Sequence, residues 1–187
     1  MLRAKIIETN LAFRNALGTR GETSKIVIHH TGGTYDVDAS ASEIHQWHLD
    51  NGWAGIGYHF VIRKDGTIER GRPIEAIGAH AEKHNSYTVG IHVCGQFNVA
   101  QPTAKQIESL ALLVANICSD YKIPMDRNHI IGHGECYKRW SDGSDCPGRN
   151  LQAMLETVKG KAIWYANQQP DAAVKKICPH CGAVIED

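Results

Sequence analysis

Residues 25–30 read KIVIHH, a short run of β-branched side chains that ends in two adjacent histidines. A run of this kind predicts a strand that is buried within a sheet. Residues 88–94 (TVGIHVC) and 129–132 (HIIG) have the same character, and His133 follows the second of them directly. We therefore expect these segments to be strands of the domain core, with polar side chains where two of them end.

Helices are predicted between and after these strands. Residues 40–43 (SASE) form a capping box and open a helix that runs to Asn51, where a glycine ends it. Residues 103–106 (TAKQ) form a second capping box, and apolar side chains at helical spacing continue to about Tyr121. A last helix is predicted to start near Asn150.

A hairpin completes the pattern. Residues 58–63 (YHFVIR) and 67–70 (TIER) flank Lys64-Asp65-Gly66, and Asp-Gly is a strong turn signal between two strands. The order is then strand, helix, hairpin, strand, helix, strand, helix. This order predicts an α/β fold in which one mixed central β-sheet is flanked by helices on both faces.

The 187 residues are enough for one domain and a short appendage. We predict one domain over residues 1–166, a polar linker over residues 167–177 and a small tail over residues 178–187. Lysine and arginine balance aspartate and glutamate at 20 each, which argues against nucleic acid and a membrane surface as partners. We see no signal peptide and no transmembrane run, so we expect a cytoplasmic protein with reduced thiols.

The tail contains Cys178-Pro-His-Cys181, the spacing of a zinc knuckle, and is a candidate second metal site. A complete zinc ribbon needs two knuckles, and this segment holds one. Two chains could share a metal ion in a homodimer, or another cysteine such as Cys118 or Cys136 could complete the site. A tail without metal and a small wall-targeting element are further alternatives.

Eleven histidines invite a search for a metal site. His29 or His30 lies at one strand end, His133 follows another strand, and Cys146 lies in a loop rich in glycine and aspartate. Two nitrogen ligands and one sulfur ligand, with a position left open for water, make a chemically sensible zinc set. The alternative is that these are buried, hydrogen-bonded histidines and a small apolar cysteine.

Several motifs, in this order along the chain, resemble the type-2 N-acetylmuramoyl-L-alanine amidases, a family that includes phage lysozyme-amidases and animal peptidoglycan recognition proteins. The resemblance covers about residues 24–158. The motifs are IVIHHTGG (26–33), WH (47–48), NGW (51–53), GYHF (57–60), KDGT (64–67), EAIGAHA (75–81), VGIHVCG (89–95), IIGHGE (130–135) and DCPGRNL (145–151).

The resemblance implies a catalytic Zn²⁺ held by His29, His133 and Cys146, which makes residues 1–166 a zinc amidase catalytic domain. It also implies that Tyr58, in the GYHF motif, assists the reaction. Family members usually have lysine or threonine two positions before the last ligand, where this chain has Ser144. A serine hydroxyl can donate a hydrogen bond to an oxyanion, so Ser144 is a second catalytic candidate.

The same motifs imply a substrate groove. His80 resembles a groove histidine, and Trp53, Arg72 and Asn85 are groove candidates by their position alone. His92, which lies inside a predicted strand, is expected to be structural.

The function implied is hydrolysis of the amide between N-acetylmuramic acid and L-alanine in bacterial peptidoglycan. The expected role is that of a phage or prophage endolysin that waits in the cytoplasm until it is released to the cell wall. The alternatives are a peptidoglycan-binding module without catalysis and an intracellular amidase that recycles muropeptides. Non-catalytic relatives typically lack the cysteine ligand, and Cys146 therefore favours an enzyme.

Overall fold

The computed structural model describes residues 1–137, 145–168, 176–177 and 184–185, and its centre is a mixed sheet of six strands. The strands are β1 (Ile6–Ile7), β2 (Lys25–His30), β3 (Phe60–Ile62), β4 (Ile68–Arg70), β5 (Thr88–Val93) and β6 (Ile130–Gly132). Three α-helices occur within the described residues: α1 (Ala41–Asp50), α2 (Ala104–Tyr121) and α3 (Arg149–Asn167). A short antiparallel pair, β7 (Lys176–Ile177) and β8 (Val184–Ile185), stands apart from the main sheet.

The predicted strand over residues 25–30 is an inner strand of this sheet. The strand order is β1-β4-β3-β5-β2-β6, and β2 pairs in parallel with both β5 and β6. The carboxyl ends of β2, β5 and β6 therefore lie at one edge of the sheet. In the register of β2 and β5, His29 is paired with His92. The polar residues that follow these strands meet at that edge.

The two faces of the sheet differ in what covers them. Alternation along β2 and β5 sends Ile28 and Ile91 to one face, where they share a core with α2 and α3 residues such as Leu110 and Leu155. The other face carries His29 and His92. There α1 packs through Ala41 and Ile44 against Val61 and Cys94. One face thus carries the larger apolar core, and the other face carries His29 and His92.

Both predicted capping boxes are confirmed. The Ser40 hydroxyl accepts a hydrogen bond from the Glu43 backbone N–H, and the Glu43 carboxylate accepts one from the Ser40 backbone N–H. Thr103 and Gln106 make the same reciprocal pair at the start of α2. These bonds satisfy backbone donors that the first helical turn leaves without partners.

The α/β fold with a mixed sheet and helices on both faces is confirmed, and so is the hairpin of β3 and β4. One strand was missed: β1 has two residues and pairs in parallel with β4. A two-residue strand has no alternation that a sequence pattern could reveal. Within the described residues, no helix has the length and apolar character needed to cross a membrane. The division into a domain, a linker and a tail stays a prediction.

Candidate metal centre and groove

Three separate segments supply the candidate ligands. His29 is the fifth residue of β2, and His133 opens a 3-10 turn (His133–Cys136) directly after β6. Cys146 precedes α3 in the chain. Because β2 and β6 are parallel neighbours, their carboxyl ends bring the two histidines together. The backbone N–H of Gly134 donates to the Cys146 carbonyl over 2.7 Å, which fastens the third segment to the second.

The ligand atoms of His29, His133 and Cys146 all lie within 4.8 Å of one another. The His29 Nδ1 atom lies 3.7 Å from the Cys146 Sγ atom, and the rings of His29 and His133 are 4.4 Å apart between centroids. The other nitrogen of His29, Nε2, lies 3.0 Å from His80 Nδ1. His29 therefore turns one nitrogen toward the cysteine and has the other held by a neighbour.

This donor set fits zinc. A nitrogen and a sulfur ligand of one tetrahedral zinc ion lie about 3.6 Å apart, close to the 3.7 Å between His29 Nδ1 and Cys146 Sγ. Burial lowers the pKa of His29 well below its usual range, with His80 as the next cause, so the imidazole is neutral as a ligand must be. Burial raises the pKa of Cys146 to about 12, and a metal cation would reverse that shift by stabilising the thiolate.

His30 faces away from this centre, as strand alternation requires. Its ring lies beside Phe97, and its Nδ1 atom accepts a hydrogen bond from the Phe97 backbone N–H over 3.2 Å. The backbone N–H of His30 points to the Cys146 sulfur at 3.4 Å. His30 thus contacts the site through its backbone, and of the two adjacent histidines it is His29 whose ring lies in the group with His133 and Cys146.

Tyr58 lies beside the ligand group, just before β3. Its ring centroid is 5.0 Å from that of His29 and 4.7 Å from that of His92. Burial raises the pKa of the Tyr58 phenol, and the nearby Cys146 adds to the shift. Burial thus favours the protonated phenol, which can donate a hydrogen bond beside the ligand group.

His80 and Asn85 belong to the loop between β4 and β5. The Asn85 side-chain oxygen accepts hydrogen bonds from the backbone N–H groups of His80 and Ala81, each at 2.9 Å. This places the His80 ring over β5 at Gly90, where a Cβ atom would lie 2.5 Å from the ring. Glycine is needed there because any side chain would displace the histidine that holds His29.

A groove of about 410 Å³ opens beside His133. Three of the four predicted groove residues line it, namely Trp53, His80 and Asn85, and the rest of its lining is Ala79, Ala81, Glu82, His133 and Tyr137. Trp53 is 46% exposed and packs against His48, with 4.5 Å between ring centroids. The groove thus has both aromatic and polar lining residues, and one of them, His133, belongs to the candidate ligand group.

Arg72 does not line this groove. It is buried, and its guanidinium donates to the backbone carbonyls of Ile56 and Ile77 over 2.6 and 2.7 Å. Its position in the motif indicated that Arg72 lies near the groove. The motif could not indicate that backbone carbonyls would accept hydrogen bonds from its guanidinium. Ser144, Cys178 and Cys181 lie outside the described residues.

Sequence reasoning missed two aromatic neighbours of the site. Tyr137 lines the groove and lies 5.7 Å from His133 between ring centroids. His48 accepts a hydrogen bond at Nδ1 from the Gly57 backbone N–H and packs near Tyr58. The Trp47-His48 motif marked the second of these as part of a pattern, but no local signal placed Tyr137 in the groove or His48 beside Tyr58.

His59 provides a prediction about acid stability. Both of its ring nitrogens are used, since Nδ1 accepts from the Gly90 backbone N–H and Nε2 lies 2.9 Å from the Ala76 carbonyl. Burial lowers its pKa to about 3, whereas an unfolded histidine titrates near 6.5. Between these values the unfolded chain binds a proton that the folded chain does not. Stability is therefore full above pH 6.5 and falls as the pH falls toward 3.

We expect His59 to remove about 2 kcal/mol from the free energy of unfolding of the metal-free protein between pH 7 and pH 5. Urea unfolding at pH 7, 6 and 5 measures this change. The variant His59→Gln is less stable throughout, but its free energy should depend less on pH, by about 1 kcal/mol per unit between pH 6 and 5. If the free energy of unfolding depended equally on pH in the two proteins, His59 would not be the source of the acid sensitivity.

Comparison with known proteins agrees with this geometry. A family model described as N-acetylmuramoyl-L-alanine amidase matches residues 19–149. The endolysin of Enterobacteria phage K11 is 43% identical over 143 residues, which cover 74% of this chain and 89% of the phage protein. Peptidoglycan-recognition protein SC2 of Drosophila melanogaster is 32% identical over 168 residues, which cover 81% and 88% of the two chains.

A solved structure has the same fold. The endolysin N-acetylmuramoyl-L-alanine amidase LysCS from Clostridium intestinale superimposes with a TM-score of 0.73 at 35% identity. The superposition covers 86% of this chain and 96% of that chain.

Proposed function

This chain belongs to the N-acetylmuramoyl-L-alanine amidase family, and on that premise we propose that it cuts the amide between N-acetylmuramic acid and L-alanine in peptidoglycan with zinc held by His29, His133 and Cys146. The chain is an amidase that resembles phage endolysins. The observation that carries the zinc assignment is the convergence of two imidazoles and a thiol from three segments within 4.8 Å.

The chain's own residues prepare the reaction. Zinc, when bound, supplies Lewis acidity for the attack of water on the amide carbonyl. His80 holds His29 Nε2, which leaves Nδ1 as the ligand atom and fixes the direction of the ring. The Tyr58 hydroxyl donates a hydrogen bond to the negative charge that develops on the carbonyl oxygen. Ser144, two positions before Cys146 in the chain, is a proposed second donor on sequence grounds.

The groove supports a muropeptide as the substrate. Trp53 presents an exposed ring on which an apolar sugar face can pack. The Asn85 oxygen is committed to the loop, but its amide nitrogen has no partner among the described residues and can donate to a peptide carbonyl. Relatives are named as endolysins and as peptidoglycan-recognition proteins, and both names agree with such a ligand.

A binding module without catalysis is the second candidate. It is disfavoured because Cys146 lies in the ligand group and Tyr58 lies next to it. We further propose that the protein acts as an endolysin, released from the cytoplasm to the cell wall, rather than in muropeptide recycling, because the phage relatives are endolysins. Nothing in the described part of the chain supports a homodimer that shares a metal ion through the tail.

The test is mass spectrometry of purified peptidoglycan after digestion by the zinc-loaded protein, with and without a zinc chelator. We expect free stem peptides with a new L-alanine amine, lost on chelation and recovered when zinc is restored. Intact peptidoglycan that nevertheless retains the protein would identify the binding module instead. Cleavage that is unaffected by complete zinc removal would overturn the metal assignment.

A further inference from the structure

His92 lies on the floor of the site, next to His29 on the adjacent strand. The two residues are register partners in β5 and β2, so their side chains leave the same face of the sheet. His92 is 3% exposed, and Ile91, its neighbour in sequence, lies in the core under α2 and α3. A histidine is thus buried where packing alone would accept an apolar side chain.

Packing fixes the Tyr58 ring. Among the described residues the Tyr58 hydroxyl has no hydrogen-bond partner, so contacts with the ring must set its direction. Four histidine rings surround it, at centroid distances of 4.7 Å for His92, 5.0 Å for His29, 5.7 Å for His48 and 6.4 Å for His80. His92 is the nearest of the four, and unlike His29 it is not a candidate ligand.

Thr31 holds His92 in turn. The Thr31 hydroxyl oxygen accepts a hydrogen bond from the Gly95 backbone N–H over 3.1 Å and lies 3.0 Å from His92 Nε2. The hydroxyl can donate its own proton to Nε2 or accept a hydrogen bond from Nε2–H, and either bond fixes the direction of the His92 ring.

The second ring nitrogen distinguishes His92 from other buried histidines. His92 Nδ1 is buried and has no partner among the described residues, whereas His45 and His59 use both ring nitrogens for the backbone. A buried ring nitrogen without a hydrogen-bond partner opposes folding. His92 therefore does not serve to satisfy the fold, and its role must come from the ring that it places against Tyr58.

We infer that His92, locked by Thr31, is a positioning residue that holds the Tyr58 phenol in its reactive direction. The inference rests on the proposed role of Tyr58 in amide hydrolysis. Loss of the His92 ring frees the phenol to tilt away from the reacting carbonyl. Turnover then falls while the groove, and with it substrate binding, is retained.

A double-mutant cycle tests this coupling. With zinc-loaded protein and a soluble muropeptide, His92→Ala should lower kcat about 10- to 100-fold, change KM less than about 3-fold and keep the zinc content. In the Tyr58→Phe background, His92→Ala should lower kcat less than about 2-fold, because the hydroxyl that His92 positions is gone. His92→Phe, which keeps a ring against Tyr58, should recover part of the rate.

The matched control is Ile91→Ala, a cavity on the same strand but on the opposite face. It should lower thermal stability without a change in kcat. Equal losses from His92→Ala in both backgrounds, or a loss of zinc, would overturn the inference.

A readout without activity separates this inference from the proposed function. In NMR spectra of the zinc-loaded protein, the Tyr58 ring signals, assigned through Tyr58→Phe, should shift or broaden in His92→Ala and stay in place in Ile91→Ala. An inactive wild-type protein with that shift would refute the amidase assignment and leave the coupling intact. Unchanged Tyr58 signals in His92→Ala would refute the coupling.

Discussion

Replacement of Cys146 with serine will reduce amide hydrolysis by on the order of 1000-fold or more, with a parallel loss of bound zinc. Serine has nearly the same shape, but its hydroxyl is not a ligand that zinc commonly takes in proteins. Two histidine ligands alone would bind the metal weakly. The Lewis acidity that the site loses is worth several kcal/mol in the transition state, which corresponds to a rate change of this size.

Metal analysis of the purified protein and a timed muropeptide digest measure the two losses together. Cys136→Ser is the matched control, because this half-buried thiol packs near Val27, Ala81 and Ile131 and is not part of the ligand group. It should keep its zinc and a rate within about 3-fold of wild type. Full activity in Cys146→Ser, or equal losses in the two variants, would show that the thiol is not the third ligand.

The elements of the fold could be read from the sequence because their signals are local. Residues 25–30 have a β-branched pattern, and both capping boxes place reciprocal side chains three positions apart. Each signal depends on neighbours within a few residues. The two-residue strand β1 has no such signal, because its pairing with β4 is decided by tertiary contacts.

The site depended on information of a different kind. His29, His133 and Cys146 are more than 100 positions apart between first and last, so no spacing rule links them. The register of parallel strands brings the histidines together, and the family resemblance had to select them beforehand. Arg72 shows what a motif cannot predict. Its place in the motif did not indicate that the carbonyls of Ile56 and Ile77 would accept hydrogen bonds from its guanidinium.

The surroundings of His92 were likewise not predictable from the sequence. Strand alternation alone gives a face to each residue of β5, and an isolated histidine there is best interpreted as structural. Its pairing with His29 across the sheet changes that interpretation, because it places the ring beneath Tyr58. Register is a property of two segments far apart in the chain, and it is therefore visible only in the structure.

Removal of one oxygen atom, in Tyr58→Phe, should lower kcat about 100- to 1000-fold, the loss seen when a single oxyanion donor is deleted. Zinc content and KM should stay near those of wild type, because the proposed ligands are His29, His133 and Cys146 and because Tyr58 does not line the groove. Burial raises the pKa of the phenol, so it donates at neutral pH as well as in mild base, and its loss should lower kcat by the same factor from pH 6 to pH 9.

Steady-state rates on a muropeptide across that pH range provide the measurement. Tyr165→Phe is the matched control, since it removes the same oxygen from a hydroxyl that donates to Glu108 on the helix-covered side. A kcat loss in the control would indicate a general effect on folding. A pH-dependent loss in Tyr58→Phe would mean that the phenol ionises within that range, whereas a constant loss means that it stays protonated from pH 6 to pH 9, as its burial predicts.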